Sequence, residues 1–321
     1  MRDLPIAADQ QFGVFTTEQA VKAGWSRDQL GYAVDTGGLL RVRRGVFALP
    51  ADEGMGTYAQ QARRLGQLGV AAALRISDAA VSHSAALAVH GLPLFHPPQI
   101  PCVTKPQSCR TLQHQLHLHR KKLGPLFLEA GMGFAITSVA RTCIDVACEQ
   151  GLAAGVIAAD AALREGRTNL DALFTARRSI RGDPGSPTAG RLLDIVDARA
   201  ESPLESLSRV SLLDVVPPPL VQAEVFTPGG AFIGRVDLLW EIPGVIGEAD
   251  GAGKYDEFPG TLSKEKWRQD RLNETDAVIA RWGWDLAQSP RRLAAYLKTR
   301  FEEAWRRRAA GIRPKWIVRP T

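Results

Sequence analysis

The spacing of apolar and polar residues divides the chain into stretches of different period. Thr17–Ala23 carries a short helical pattern, with Thr16 or Thr17 as its cap and Gly24 as its stop. Ser26 caps a second helix running from Arg27 to about Asp35, and Gly37-Gly38 ends it. Leu39–Leu49 then reads as two short strands around an Arg-Arg-Gly turn. Residues 57–74 and the stretch from Ser77-Asp78 to about His90 read as helices. Gln115–Arg120 alternates like a strand, and Ser138–Gln150 and Gly151–Arg164 form a helix pair rich in small apolar residues. Past Ser202 the pattern predicts a helix to about Leu213 and strands at Val221–Phe226, Ala231–Trp240 and Gly244–Ala249. A long helix from about Leu262 to Trp282, a short strand at Trp284–Gln288 and a last helix over Pro290–Arg308 complete it.

Gly, Pro and Asp cluster at Ala51–Gly56 and Arg181–Pro187, which marks loops or linkers. With a new capped helix starting at Ser202, the chain is expected to hold three α/β parts. These are residues 1–52, 53–200 and 201–308, followed by a basic tail over 309–321. The first has the element order of a winged helix-turn-helix, and the second is an α/β middle domain.

Composition narrows the class. Hydrophobic residues make up 45% and charged residues 23%, which excludes a wholly disordered or fibrous chain. Apolar stretches such as Leu152–Leu163 are shorter than the roughly 20 residues a bilayer demands. The first residues lack the apolar core of a secretory signal, and four cysteines do not make a disulfide framework. The expectation is a soluble, cytoplasmic protein. The net charge of +6 conceals a pattern. Residues 201–258 hold 3 basic and 10 acidic groups, whereas 259–321 hold 15 basic and 7 acidic. Carboxylates for a cation followed by arginines for phosphate is the charge plan of a metal-dependent enzyme acting on nucleic acid.

Particular residues follow from these patterns. If the second helix enters a major groove, Arg27, Gln29 and Tyr32 are the expected base readers, and Arg41, Arg43 and Arg44 the phosphate contacts. In the C-terminal part, Asp237 lies inside an apolar strand, and Glu248 and Asp250 end the next one on the same face. Carboxylates in such places are costly unless paired or bound to metal, and neighbouring strands would let Asp237 and Glu248 share one hard cation. All six histidines fall within residues 83–119, with Cys102 and Cys109 among them. No Cys-x-x-Cys pair accompanies them, so they read as structural rather than as a zinc site.

Asp237, then Glu248-Ala249-Asp250-Gly251, then Lys254-Tyr255, resembles the PD-(D/E)XK nuclease fold in its very-short-patch-repair-like branch. The basic segment Glu265–Leu272 and Trp282-Gly283-Trp284 fit the same pattern. The resemblance implies a restriction-endonuclease-like α-β-β-β-α-β domain with catalytic Asp237, Glu248, Asp250, Lys254 and Glu205. It also implies Mg²⁺ on Asp237 and Glu248, and phosphate held by Lys266, Arg268 and Arg271. One position departs from it: where the motif has Lys two residues after Glu248, this chain has Asp250. Residues 11–50 resemble the winged helix of AbiEi-type antitoxins. Val81–Ala86 and Thr137–Asp145 resemble stretches of that family's middle region. This second resemblance implies a DNA-binding autoregulator that counters a nucleotidyltransferase-like toxin without binding it tightly. The alternative is a Mg²⁺-dependent endonuclease targeted by its winged helix.

Overall fold

The computed structural model describes residues 3–106, 115–130, 133–250 and 267–319. They fall into two compact units, Met1–Val196 and Asp197–Thr321. Both mix helices with sheets, and among the described residues no helix is long and apolar enough to cross a membrane.

The N-terminal unit opens with α1 (Ile6–Gln10), β1 (Val14–Thr16), α2 (Thr17–Lys22), α3 (Arg27–Asp35), β2 (Leu40–Arg43) and β3 (Val46–Ala48). The three strands form one antiparallel sheet in the order β1-β3-β2, with Phe15 opposite Phe47. Their rings stack at 6.0 Å and, with Ala8, Ala20, Leu30 and Leu39, make the small core on which α2 and α3 rest. Burying two such rings and two leucines supplies most of what holds so small a subdomain together, at roughly 1.5–3 kcal/mol per large side chain.

The helix α4 (Thr57–Ala73) follows, then a five-stranded sheet in the order β6-β5-β4-β8-β7. Its strands are β4 (Ala80–Ser82), β5 (Cys102–Lys105), β6 (His117–Arg120), β7 (Leu128–Glu129) and β8 (Ala135–Thr137). The helices α5 (His83–Val89), α6 (Val139–Gln150), α7 (Leu152–Arg164), α8 (Leu170–Arg178) and α9 (Ser186–Ile195) complete the unit. Gly69 lets α4 and α5 meet closely, since a Cβ there would lie 2.7 Å from Ala85 Cβ. The pattern predicts one helix from Ser77-Asp78 to His90, and the structure corrects it. Ala80–Ser82 is a strand paired on both sides, with β5 and β8, and the helix begins only at His83. A three-residue apolar run has no period of its own, so its neighbours decide its form.

The C-terminal unit runs α10 (Pro203–Leu212), β9 (Leu220–Phe226), β10 (Phe232–Trp240), β11 (Val245–Ala249), a helical stretch over 267–273, and β12 (Val278–Trp282). It ends with α11 (Trp284–Ala287), α12 (Pro290–Ala309) and β13 (Ile317–Arg319). The sheet order is β12-β11-β10-β9-β13, with β11 and β12 parallel and the other pairs antiparallel. Two expectations change here. The long helix to Trp282 ends early, because Asp276 takes a left-handed φ of 63° and Val278–Trp282 pairs with β11. The strand expected at Trp284–Gln288 is instead a helical turn. In the basic stretch over 309–321, Ile317–Arg319 pairs with β9 as an edge strand, and Arg319 lies over the Phe226 ring at 4.6 Å.

Candidate functional site

The N-terminal helices start where they do because each carries a reciprocal cap. Gln19 N donates to Thr16 Oγ1 at 3.2 Å, and Thr16 N donates to Gln19 Oε1 at 2.8 Å. Ser26 and Gln29 repeat the arrangement at 3.1 and 2.9 Å. The second box has a consequence for recognition. Gln29 is folded back onto its own helix start, so it serves as a cap in this arrangement. Arg27 is exposed beside it, and Tyr32 is 72% exposed one turn on. Asp28 and Asp35 on the same helix offset the charge of Arg27.

The hairpin turns at Arg44-Gly45, where Gly45 takes the positive φ of 73° that a two-residue turn favours. Gly45 O accepts from Thr17 N at 2.9 Å, tying the tip to the start of α2. Arg44 is exposed at the tip, and exposed Arg41 lies over the Phe47 ring at 5.8 Å. Arg43 is half-buried, and burial lowers its guanidinium pKa below the ordinary value. The hairpin therefore presents two exposed cations, Arg41 and Arg44, rather than three.

In the C-terminal unit, Ser202 Oγ caps α10 by accepting from Glu205 N at 3.2 Å. Glu205 is 2% exposed. Its Oε1 accepts from Ser202 Oγ at 2.8 Å, and its Oε2 from Glu201 N at 2.9 Å and Gln222 Nε2 at 2.7 Å. The same Gln222 Nε2 lies 3.4 Å from Asp237 Oδ1, while Asp237 Oδ2 accepts from Ala249 N at 2.8 Å. Glu248 faces a different partner. Arg268 donates to it through both terminal nitrogens, Nη1 at 3.3 Å and Nη2 at 3.0 Å. Gly234 makes that reach possible, because a Cβ there would lie 2.9 Å from Arg268 Cδ. Asp250 is half-buried, and its N donates to Trp282 O at 2.8 Å.

Glu205, Gln222 and Asp237 thus form one chain of contacts, with Glu248 and Arg268 forming a second. Arg271 sits over the exposed Trp267 ring at 4.9 Å, at the side of a 720 Å³ cleft that Arg268, Arg235 and Phe232 also line. Lys254 and Lys266 lie outside the described residues. Gln222, which the sequence reading did not single out, links Glu205 to Asp237. Its signal was a polar residue inside an apolar strand, and it adopts a left-handed φ of 54°. The histidine-rich segment was read as structural for want of metal spacing. The structure nonetheless brings His83, Cys102, His119 and Glu149 together, with their ligand atoms all within 4.8 Å of one another.

Known proteins resemble this chain at three levels. Two uncharacterized proteins of Mycobacterium tuberculosis, from strains CDC 1551 / Oshkosh and H37Rv, are each 28% identical over 293 residues, covering 87% of this chain and 98% of the relative. The crystal structure of the RV2827C protein from Mycobacterium tuberculosis aligns with a TM-score of 0.35 and 15% identity, over 71% of this chain and 91% of that one. Residues 2–50, which hold α1 to α3 and the hairpin, match the family model described as "Transcriptional regulator, AbiEi antitoxin".

Proposed function

We propose that this chain is a DNA-binding transcriptional regulator of the AbiEi antitoxin type. The observation that carries the reading is the capped helix Arg27–Asp35 beside a short basic hairpin, within the segment that matches the antitoxin model. In a winged helix the second helix lies in the major groove and the hairpin rests on the backbone. Arg27 and Tyr32 would then meet base edges, with Arg41 and Arg44 on phosphates. The counterpart is a nucleotidyltransferase-like toxin, opposed without a stable complex, and both act in the cytoplasm. Growth rescue on co-expression with such a toxin, and no co-purification, is the expected result for that partner.

A gel-shift titration on the protein's own upstream DNA tests the main reading. Arg41→Ala with Arg44→Ala should lower affinity and flatten the salt dependence by about two units of slope, close to one per lost phosphate contact. Unchanged binding of the double variant at several salt concentrations removes the hairpin from the interface.

A nuclease-like C-terminal unit is the second reading, supported by the α-β-β-β-α-β order from Pro203 to Trp282 and by the parallel pairing of β11 with β12. The described donors do not fit Mg²⁺ as they stand. Glu248 is held by the Arg268 guanidinium, and one Asp237 oxygen by a backbone N–H. Asp237, Glu248 and Asp250 do not form a ligand group among the described residues. The unit is read as a nuclease-like fold in the service of regulation, and a Mg²⁺-dependent cleavage assay on double-stranded DNA is the measurement that would reverse this.

A further inference from the structure

In the N-terminal unit, four side chains with metal-binding chemistry reach one point from four different elements. His83 is the first residue of α5, directly after β4. Cys102 opens β5, His119 is in β6, and Glu149 is near the end of α6. The sheet register explains the convergence. Ser82 pairs with Cys102 across β4 and β5, and Cys102 and Thr104 pair with His117 and His119 across β5 and β6. Residues two apart share a face of a strand, so Cys102, Thr104, His117 and His119 line one side of the sheet. Glu149 meets that side from the helix. Its Oε1 lies 2.9 Å from His117 Nδ1 and 3.3 Å from His119 Nε2, and its Oε1 and Oε2 lie 3.8 and 3.7 Å from Cys102 Sγ.

We propose that His83, Cys102, His119 and Glu149 form a tetrahedral binding site for Zn²⁺. The donor set is one thiol sulfur, two imidazole nitrogens and one carboxylate, the borderline-soft mixture that zinc takes and Mg²⁺ or Ca²⁺ does not. Zinc bonds of about 2.0–2.3 Å place neighbouring ligand atoms about 3.3–3.8 Å apart in a tetrahedron. The His119 and Cys102 distances to Glu149 already have that length. His119 Nε2 is shielded from solvent and, despite its nearness to Glu149, has no hydrogen-bond partner among the described residues. A bound cation would give that nitrogen a partner.

The surroundings support the ligands as metal sites require. His83 Nδ1 is 2.9 Å from Ser82 Oγ, which leaves Nε2 to ligate. Thr104 Oγ1 donates to the same Ser82 hydroxyl at 2.9 Å. His117 is bonded to Glu149 and orients the carboxylate. Partners of this kind fix ring orientation and raise the basicity of the ligand. The His83 backbone has a left-handed φ of 52°, an uncommon conformation for a residue with a side chain, and one held here by the surrounding structure. The rings of His83 and His119 stack at 3.7 Å, a distance at which two protonated imidazoles would repel strongly. A 430 Å³ cavity bordered by His117, Lys121, Arg141 and Asp183 opens beside the group and gives an ion a way in. Zinc must displace the Cys102 thiol proton on binding, so uptake releases a proton.

With four protein ligands the site is closed, and its role is structural: zinc clamps α5, β5, β6 and α6 together. Metal analysis of purified full-length protein, grown with zinc and dialysed, should find about one zinc per chain. Cys102→Ser and Glu149→Gln should each lower that content at least tenfold. Ser82→Ala, which touches no metal, should weaken zinc affinity by about tenfold. The wild-type chain carries the decisive measurement, since its readout is independent of how the variants fold. Replacing zinc with Co²⁺ should give the intense visible bands of a tetrahedral ion and a sulfur-to-cobalt charge-transfer band in the near ultraviolet. Wild-type protein that retains no zinc and shows no charge-transfer band with Co²⁺ overturns the proposal. So does zinc retained in full by both Cys102→Ser and Glu149→Gln. Neither result bears on DNA binding by the hairpin, so the two readings fail separately.

Discussion

Glu149 in the N-terminal unit and Glu248 in the C-terminal unit are both carboxylates that strands and a helix gather among other polar groups, yet their partners differ in kind. Glu248 has a guanidinium: Arg268 lies across β10 and grips it with two nitrogens. Glu149 has imidazoles and a thiol. An arginine carries a permanent charge and completes an ion pair on its own. Two imidazoles and a thiol carry none when neutral, and they complete a site only around a cation. The same residue type thus closes one site and leaves the other requiring a metal. The sequence reading placed a cation on Asp237 and Glu248 and took the histidine segment as structural, judging each group by spacing along the chain; the zinc proposed here would reverse both assignments.

The largest expected effect follows from that difference. Stripping zinc with a chelator should lower the melting temperature of the N-terminal unit, and restoring zinc should recover it. A ligand present at 1,000 times its dissociation constant adds about 4 kcal/mol, a large share of a domain's stability. Scanning calorimetry of the intact chain, with and without chelator, measures it. A chelator-insensitive transition would make the two carboxylates alike in needing no metal.

Local signals in the sequence were legible where one segment decides its own structure. The Thr16 and Ser26 boxes and the Ser202 cap each lie within four residues, and the structure forms all three. The strands from Leu220 to Ala249 alternate or run apolar strongly enough to be found. What escaped depends on partners distant in sequence. Ala80–Ser82 becomes a strand because β5 and β8 lie on either side, and Val278–Trp282 because β11 does. Glu149 stands 47 positions from Cys102 and touches it only once the sheet and α6 have packed. Gln29 was read from the sequence as a base reader, whereas the structure folds it back to cap its own helix, and its helix position alone does not separate these roles.

A middle-sized effect tests the other side of the comparison. Glu248 is 8% exposed, so Arg268→Ala leaves a shielded carboxylate without its guanidinium. A fully buried pair broken this way costs about 3–5 kcal/mol. The Arg268 side chain is 22% exposed, so solvent screening should reduce the loss to about 2 kcal/mol. Urea denaturation measures this, and Glu248→Gln added to Arg268→Ala should restore part of it. The single variant also gives Glu248 the predicament proposed for Glu149. Millimolar Mn²⁺ should then raise the melting temperature of Arg268→Ala more than that of wild type. An equal rise in both would mean that Arg268 does not keep cations away, and the nuclease reading would gain ground.

The smallest effect asks whether the guanidinium is held by charge alone or also by the strand beneath it. Gly234 lies beside the irregularity in the β9–β10 register, and a Cβ there would stand 2.9 Å from Arg268 Cδ and 3.0 Å from Cγ. Both are atoms of a flexible side chain, so Gly234→Ala should be accommodated by moving Arg268 rather than the backbone. Displaced by a few tenths of an ångström, the guanidinium keeps its attraction to Glu248 but weakens one of its two aligned hydrogen bonds. The expected loss is about 1 kcal/mol, less than the roughly 1.5–3 kcal/mol of a hydrogen bond to a charged group, because the bond is weakened rather than lost and the Arg268 side chain is partly screened by solvent. In the Mn²⁺ experiment this variant should fall between wild type and Arg268→Ala. A Gly234→Ala protein as stable as wild type and equally indifferent to Mn²⁺ would show that Arg268 reaches Glu248 by more than one path. The glycine would then have no part in closing the site.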